Sequence, residues 1–229
     1  MARLPEQFLE WNYYGRRRLL EKLLSGGMTR EMVLEFTRHT PVLVTAAEVN
    51  GRIEVNGKVV GCGYVASRDY LSEKIKVFRD HIQQSDEEYN SGASYDKIKE
   101  EHLLRGVKLL LEHIYLEKER ANREIDFEVL ATVELAKRVP HSSRHTWSLI
   151  QRNPRVSLVF YQPPVLSYEV KGYATIHIDD QLHEFVTLVH DSFHYTPPQA
   201  RSNRPVYIIH VEEVYDNSAS SKGFGRRLI

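Results

Sequence analysis

The sequence predicts an α+β protein built on an antiparallel barrel of about six strands, interrupted by a helical insertion. Three observations predict it. Short runs rich in Val, Ile, Thr and Tyr alternate at period 2 and are separated by Asn-Gly and Pro-containing turns. One block, residues 68–122, switches to the 3.6-residue period of amphipathic helices. The 229 residues are 41% hydrophobic and 27% charged, an ordinary globular mix long enough to bury a core.

Residues 5–24 place Phe8, Trp11, Leu19, Leu23 and Leu24 at helical intervals, and Ser25-Gly26-Gly27 ends the pattern. Arg16, Arg17 and Arg18 lie inside this helix and read as a solvated or partner-facing side. Thr29 caps a second short helix reaching about residue 38. From Thr40 the period changes. Residues 41–47 form a strand, Asn50-Gly51 gives a two-residue hairpin signal, and Asn56-Gly57 repeats it, so residues 40–65 read as a three-stranded meander. Gly61 and Gly63 around Cys62 suggest a bulge or a close approach by backbone or ligand. Cys62 itself reads as a small buried hydrophobe rather than a nucleophile.

In the insertion, Leu71, Ile75, Phe78 and Ile82 make one apolar stripe, and Leu103, Val107, Leu110, Leu111 and Ile114 make another. The polar run 85–94 separates them, giving a helical hairpin. His81, His102 and His113 read as its solvated face, because no Glu-x-x-His pair accompanies them.

Residues 126–161 form the stretch richest in chemistry. Phe127, Val129, Ala131 and Val133 alternate as a strand, residues 137–145 are polar and basic, and Trp147, Leu149 and Ile150 restart an apolar pattern behind Ser143, a good N-cap. Asn153-Pro154 stops that helix, and Val156, Leu158 and Phe160 continue as a strand. Residues 168–178 are a long alternating strand and Asp179-Asp180 turns it into a helix from Leu182 to about Phe193. Residues 206–214 are the last strand, before a Gly/Ser/Lys/Arg tail. Hydroxyls and cations at a helix start (Lys137, Ser142, Ser143, Arg144, His145, Thr146) have the chemistry of an anion site. The same residues fit a capping serine in a solvated loop, and both readings stand on these residues alone.

The charge balance narrows the partners. Lys plus Arg equals Asp plus Glu at 31 each, so no bulk charge draws nucleic acid or an anionic membrane, and neither is expected. A lone cysteine allows no internal disulfide, there is no apolar run of membrane-spanning length, and the N-terminus carries charges where a signal peptide is apolar; a cytoplasmic chain is expected. Phosphate loops, dinucleotide glycine turns and the Gly-x-Ser-x-Gly elbow are absent as linear motifs.

The strand of residues 127–135, then Ser142-Ser143-Arg144-His145-Thr146-Trp147, then Asn153-Pro154-Arg155-Val156-Ser157-Leu158 resembles the FMN-binding split β-barrel family of pyridoxamine 5'-phosphate oxidase-like proteins. The lone Gly172 in strand 168–178 fits the family's next strand. The resemblance covers residues 40–66 and 126–216. It implies a six-stranded split barrel, with N-terminal helices at 1–39, the insertion at 68–122 and a tail at 217–229 as additions. It implies a homodimer holding FMN, with phosphate on Ser142, Ser143, Arg144 and Thr146, Thr132 and Glu134 near the ring, and Lys137 or Lys58 adding charge. A small flavin-dependent oxidoreductase with an unnamed substrate or redox partner is the implied activity. The ending Arg226-Arg227-Leu228-Ile229 departs from the oxidase's Arg-Leu-x-Pro pattern and implies a substrate other than vitamin B6.

Two alternatives remain. His183, His190 and His194 share a stripe of the helix after Asp180, where the four-residue spacing of the last two can chelate a metal, although a polar helix face is preferred. One of His145, His190 or His194 could serve catalysis, imidazole being the side chain that changes charge near neutrality. The barrel could also be non-catalytic, with the insertion and the arginine helix as a docking surface in an assembly.

Overall fold

The computed structural model describes residues 2–26, 30–135 and 145–229. Strands β1 (Val42–Val49), β2 (Arg52–Val59), β3 (Gly63–Ala66), β4 (Ile125–Val133), β5 (Arg155–Gln162), β6 (Leu166–His177), β7 (Val206–Asp216) and β8 (Arg226–Arg227) form one antiparallel sheet. Its order is β2-β1-β5-β6-β7-β4-β3, with β8 on β7. Among the described residues eight strands therefore replace the expected six; Arg226 and Arg227 of the tail pair as β8, and residues 40–65 supply three strands that do not form a meander. β1 and β2 pair through the expected turn, with Asn50 at φ 51 and Gly51 at φ 76. Asn56-Gly57 is not a turn. Gly57 lies inside β2 where an added Cβ would stand 3.3 Å from Val42 Cγ1, and Asn56 spends its side chain on Thr146. Among the described residues β3 pairs with β4 rather than β2, so the sheet is left open between two strands consecutive in the chain.

The insertion fits between the paired ends of β3 and β4, where Ala66 faces Ile125. It consists of α4 (Arg68–Asn90), α5 (Tyr95–His113) and α6 (Lys118–Glu124). The polar run from residue 85 extends α4 by six residues to Asn90 instead of forming a turn there, because i,i+4 pairs such as Gln83 with Glu87 and Gln84 with Glu88 support it as an exposed helix end. Inside the insertion Lys74, 2% exposed, donates to Glu124 at 2.8 Å and to the His113 carbonyl. Arg120 adds a second cation to the Glu124 carboxylate.

At the N-terminus Asn12 separates α1 (Glu6–Trp11) from α2 (Tyr13–Gly26), so the expected single helix is two. Asn12 earns its break by donating to the Arg38 carbonyl and accepting from the Tyr64 hydroxyl. Beyond it Tyr13, fully buried, donates to the Ile114 carbonyl and accepts from Leu116 N–H, which ties α2 to the end of α5. Then come α3 (Arg30–Glu35) and a 3-10 turn over Phe36–His39. The remaining helices are α7 (His145–Arg152) and α8 (Gln181–Asp191), the latter capped by Asp180 accepting from His183 N–H. α8 lies across β3, β4 and β7 and against α4. No helix among the described residues is long and apolar enough to cross a membrane.

Candidate functional site

Among the described residues an enclosed cavity of about 390 Å³ lies between the β3–β4 edge, α8 and α2. Two recesses of about 520 Å³ are more open, as is a trough of about 440 Å³ beside Arg155 and Glu212. A volume near 400 Å³ with a mainly apolar wall is in the range of small-molecule sites.

Local sequence explains the cavity. β3 and β4 lose register between Gly63 and Val65, which is the bulge the glycines suggested. Gly61, Cys62 and Gly63 line the cavity floor, and a Cβ on either glycine would meet nothing within 4 Å, so their missing side chains leave room for a ligand. Cys62 is buried and its thiol is pushed up to about 12 by burial, which keeps it a neutral apolar group. Val186, Val189 and Phe193 of the α8 segment form the facing wall.

The polar groups converge from three elements. Arg16 of α2 lies with its guanidinium 5.0 Å from the Tyr115 ring centre and donates a long bond, 3.4 Å, to the Cys62 carbonyl. Arg17 is bound to Glu21 and Glu117 and Arg18 to Glu10, whereas Arg16 has no ion pair among the described residues. The solvated-face expectation thus fails for Arg16, which the helical phase turns inward over Tyr115. Among the described residues Arg16 Nε, His39 Nε2 and Thr132 Oγ1 are buried without a hydrogen-bond partner, and all three residues line the cavity. Burial, then the charges of Arg16 and Arg38, hold the His39 imidazole well below its usual range, so it is neutral. Among the described residues no Asp or Glu side chain lines this cavity.

At the end of α8, His190 Nδ1 lies 2.8 Å from Asp191 Oδ1, and Arg204 Nη2 donates to both Asp191 oxygens at 2.8 and 2.6 Å. Asp191 and Arg204 are buried, with side chains 8% and 4% exposed. Burial alone would push the Asp191 carboxyl up; hydrogen bonds from His190 and Arg204 outweigh it and hold it below the usual range. His194 stands at the exposed rim with its ring centre 5.1 Å from that of His190. Partial burial, then the neighbouring His190, lowers its imidazole. His183 turns away to the Arg204 carbonyl, and among the described residues no three His, Cys, Asp or Glu side chains are grouped as metal ligands.

The residues expected from the sequence fall into three places. Thr132 is on the cavity wall. Glu134 is buried beside it in the chain but is held by Lys58 at 2.5 Å and by the Tyr207 hydroxyl at 2.9 Å. Thr146 is buried and accepts from Asn56, while His145 is exposed at the first residue of α7. Asn56 and Lys58 sit two apart on β2, so that strand ties the start of α7 to the end of β4. Lys137, Ser142, Ser143 and Arg144, including the Ser143 cap, lie outside the described residues. Leu135, the last described residue before them, lines the cavity. Sequence reasoning missed Arg16, His39 and the pairing of Asp191 with Arg204; the last lies more than a hundred residues along the chain from the first two, and only the Gly-Cys-Gly run carried a local signal.

No family model matches the chain, and no curated protein matches its sequence. Solved structures match the chain at low similarity. HupZ of Group A Streptococcus, in a tagged form, is 12% identical over 84% of this chain and 97% of its own, with a TM-score of 0.40. A provisionally assigned pyridoxamine 5'-phosphate oxidase from Listeria innocua is 12% identical over 81% and 95%, with a TM-score of 0.38. An F420 reductase is 14% identical over 78% and 91%, with a TM-score of 0.36. These likenesses say nothing of chemistry. With an antiparallel sheet left open between β2 and β3, and the strand–loop–helix–Asn-Pro-Arg-Val run of residues 126–158 inside it, the chain resembles the split β-barrel of pyridoxamine 5'-phosphate oxidase-like proteins.

Proposed function

We propose that this chain is a split-barrel flavoprotein that holds FMN with its ring in the β3–β4 cavity and acts as a small oxidoreductase. The observation that carries the reading is that Arg16, His39 and Thr132, whose Nε, Nε2 and Oγ1 are buried without a partner among the described residues, all line one mainly apolar cavity. A buried polar atom left unpaired costs about 1–3 kcal/mol, so a ligand that pairs it gains that much. A flavin ring is flat and apolar on its faces, with carbonyl oxygens and an N–H along one edge, which matches an apolar slot with an arginine, a neutral imidazole and a hydroxyl. The bound flavin would supply the electron or hydride transfer. The protein's own part is to orient the ring with Thr132 and His39 and to meet negative charge with Arg16. Apolar Val186 and Val189 exclude water. The phosphate is assigned, by resemblance, to Ser142, Ser143, Arg144 and Thr146, with Lys137 adding charge. Those positions follow Leu135, which lines the cavity.

The test is an FMN titration of untagged protein, followed by the flavin spectrum, in wild type, Arg16→Gln and Thr132→Val. Arg16→Gln is expected to weaken binding by about 10- to 100-fold, the worth of a charge-assisted bond. Thr132→Val replaces an unpaired hydroxyl with a methyl of the same shape. It should leave the free protein at least as stable while weakening FMN. Equal affinity in all three proteins removes the cavity from the account. Equal affinity in a Ser143→Ala/Thr146→Ala variant removes the phosphate assignment.

A second reading, a non-catalytic barrel used in assembly, is favoured by one observation. The edge strand β2 turns Ile53, Val55 and Val59 outward, 70%, 66% and 64% exposed, as an apolar stripe on an unpaired edge. We take that stripe as the homodimer surface. A colourless protein that ignores FMN yet associates through β2 would favour assembly over catalysis.

A further inference from the structure

His190 is placed to move a proton. Residues one apart on a helix do not face each other, so the bond from His190 Nδ1 to Asp191 is made possible only by their position at the last turn of α8. Asp191 is an acceptor there because Arg204 saturates and charges it, which fixes the proton of His190 on Nδ1. Among the described residues the other ring nitrogen, Nε2, has no hydrogen-bond partner and is not buried, and His190 is one of the residues lining the cavity. The backbone beneath is clamped from the insertion, with His102 Nε2 on the Asp191 carbonyl at 2.8 Å and His81 Nε2 on that of Ser192 at 3.3 Å.

We propose that His190 is a proton-transfer residue of this cavity, taking a proton at Nε2 from a small weak acid, an N–H or O–H compound, whose conjugate base is met by Arg16. The balance is simple. The X–H bond breaks, its pair stays on X as an anion, the proton forms Nε2–H, and the imidazolium keeps its Nδ1–H on Asp191. Arg16 lines the same cavity and carries no carboxylate partner among the described residues, so the anion has a counter-charge. Cys62, Tyr64, Tyr115, His39 and His194 are the other titratable neighbours among the described residues. Burial raises the first three and lowers the two imidazoles, which leaves none of them charged to compete. The inference rests on the cavity being a ligand site and not on FMN filling it.

The probe is p-nitrophenol, whose phenolate is yellow and whose phenol is not, with imidazole ¹⁵N spectra of the free protein beside it. Wild type is expected to bind p-nitrophenol, to raise its phenolate share about tenfold at slightly acid pH, the effect of one pKa unit, and to show His190 as the Nδ1–H tautomer. His190→Gln should bind the phenol but lose the phenolate gain. Asp191→Asn should shift the tautomer toward Nε2–H, and because it strips Arg204 of its partner, an Asp191→Asn/Arg204→Met double variant repeats the reading in a relieved background. An unchanged phenolate share in His190→Gln with binding intact overturns the proton transfer alone. Absence of p-nitrophenol binding in wild type, with Arg16→Gln indifferent to FMN as well, overturns the cavity reading and the proposal with it. An Nε2–H tautomer in wild type contradicts the role assigned to Asp191.

Discussion

The insertion holds the end of α8 with two neutral histidines, and this makes stability fall with pH in a defined window. His81 and His102 are 4% and 0% exposed, stacked with ring centres 4.2 Å apart, and they donate to the Ser192 and Asp191 carbonyls. Burial, then the neighbouring His102, pushes His81 down to about 4, and burial likewise lowers His102. A folded-state value below the unfolded 6.5 means that the unfolded chain takes up protons first as pH falls. Stability is whole above about 6.5 and is lost between 6.5 and about 4. The full difference for His81, about 2.5 pH units, is worth about 3 kcal/mol, of which about 2 kcal/mol is gone by about pH 5. The perturbation is His81→Phe, which keeps the ring stack and removes the titration. Urea unfolding near pH 7.5 and near pH 5 should show the variant about 1–3 kcal/mol weaker at the higher pH, for the orphaned Ser192 carbonyl. Its loss on going to the lower pH should be about 2 kcal/mol smaller than that of wild type. An identical pH dependence in the two proteins would refute the reasoning.

Three further outcomes follow from the packing. Lys74→Met leaves Glu124 paired with Arg120 but removes the buried bonds of Lys74 to Glu124 and to the His113 carbonyl, and should lower stability by about 1–3 kcal/mol in thermal or urea melts; an unchanged stability would mean that Arg120 suffices. Gly106→Ala puts a Cβ 1.7 Å from the Ser192 carbonyl oxygen, so α5 and α8 must separate. FMN affinity should then drop with stability, and a variant as stable as wild type would contradict the tight approach. Ile53→Lys with Val55→Lys should convert a homodimer to a folded monomer in analytical ultracentrifugation, and a persistent dimer would move the interface off β2.

Much of the fold was legible locally. Asn50-Gly51 specified its hairpin because both residues accept positive φ, and Asn153-Pro154 ended α7 because proline bars the preceding residue from the helix. Other features depended on contacts distant in sequence. Asn56-Gly57 carries the same turn signal as Asn50-Gly51 yet stays in β2, because the register with β1 and the Thr146 hydroxyl decide its conformation. β3 finds β4 across the insertion, a pairing that no local period reveals. The histidines of the insertion misled by residue type: Ile98, His102, Gly106 and Leu110 follow the four-residue line of the buried face, and Gly106 marks where the α8 end comes close. For the site, Thr132 and the Gly61–Gly63 segment were readable, while Arg16 and His39 were not. Their inward turn is set by Tyr115 and by the 3-10 turn, not by their own neighbours.

The most direct measurement of the central claim is the visible spectrum of untagged protein, as purified and after FMN addition and gel filtration, compared with Arg16→Gln. The account predicts a flavin spectrum that travels with wild type and is lost or much reduced in the variant. A protein that stays colourless with excess FMN, or a variant that keeps flavin as wild type does, would contradict it.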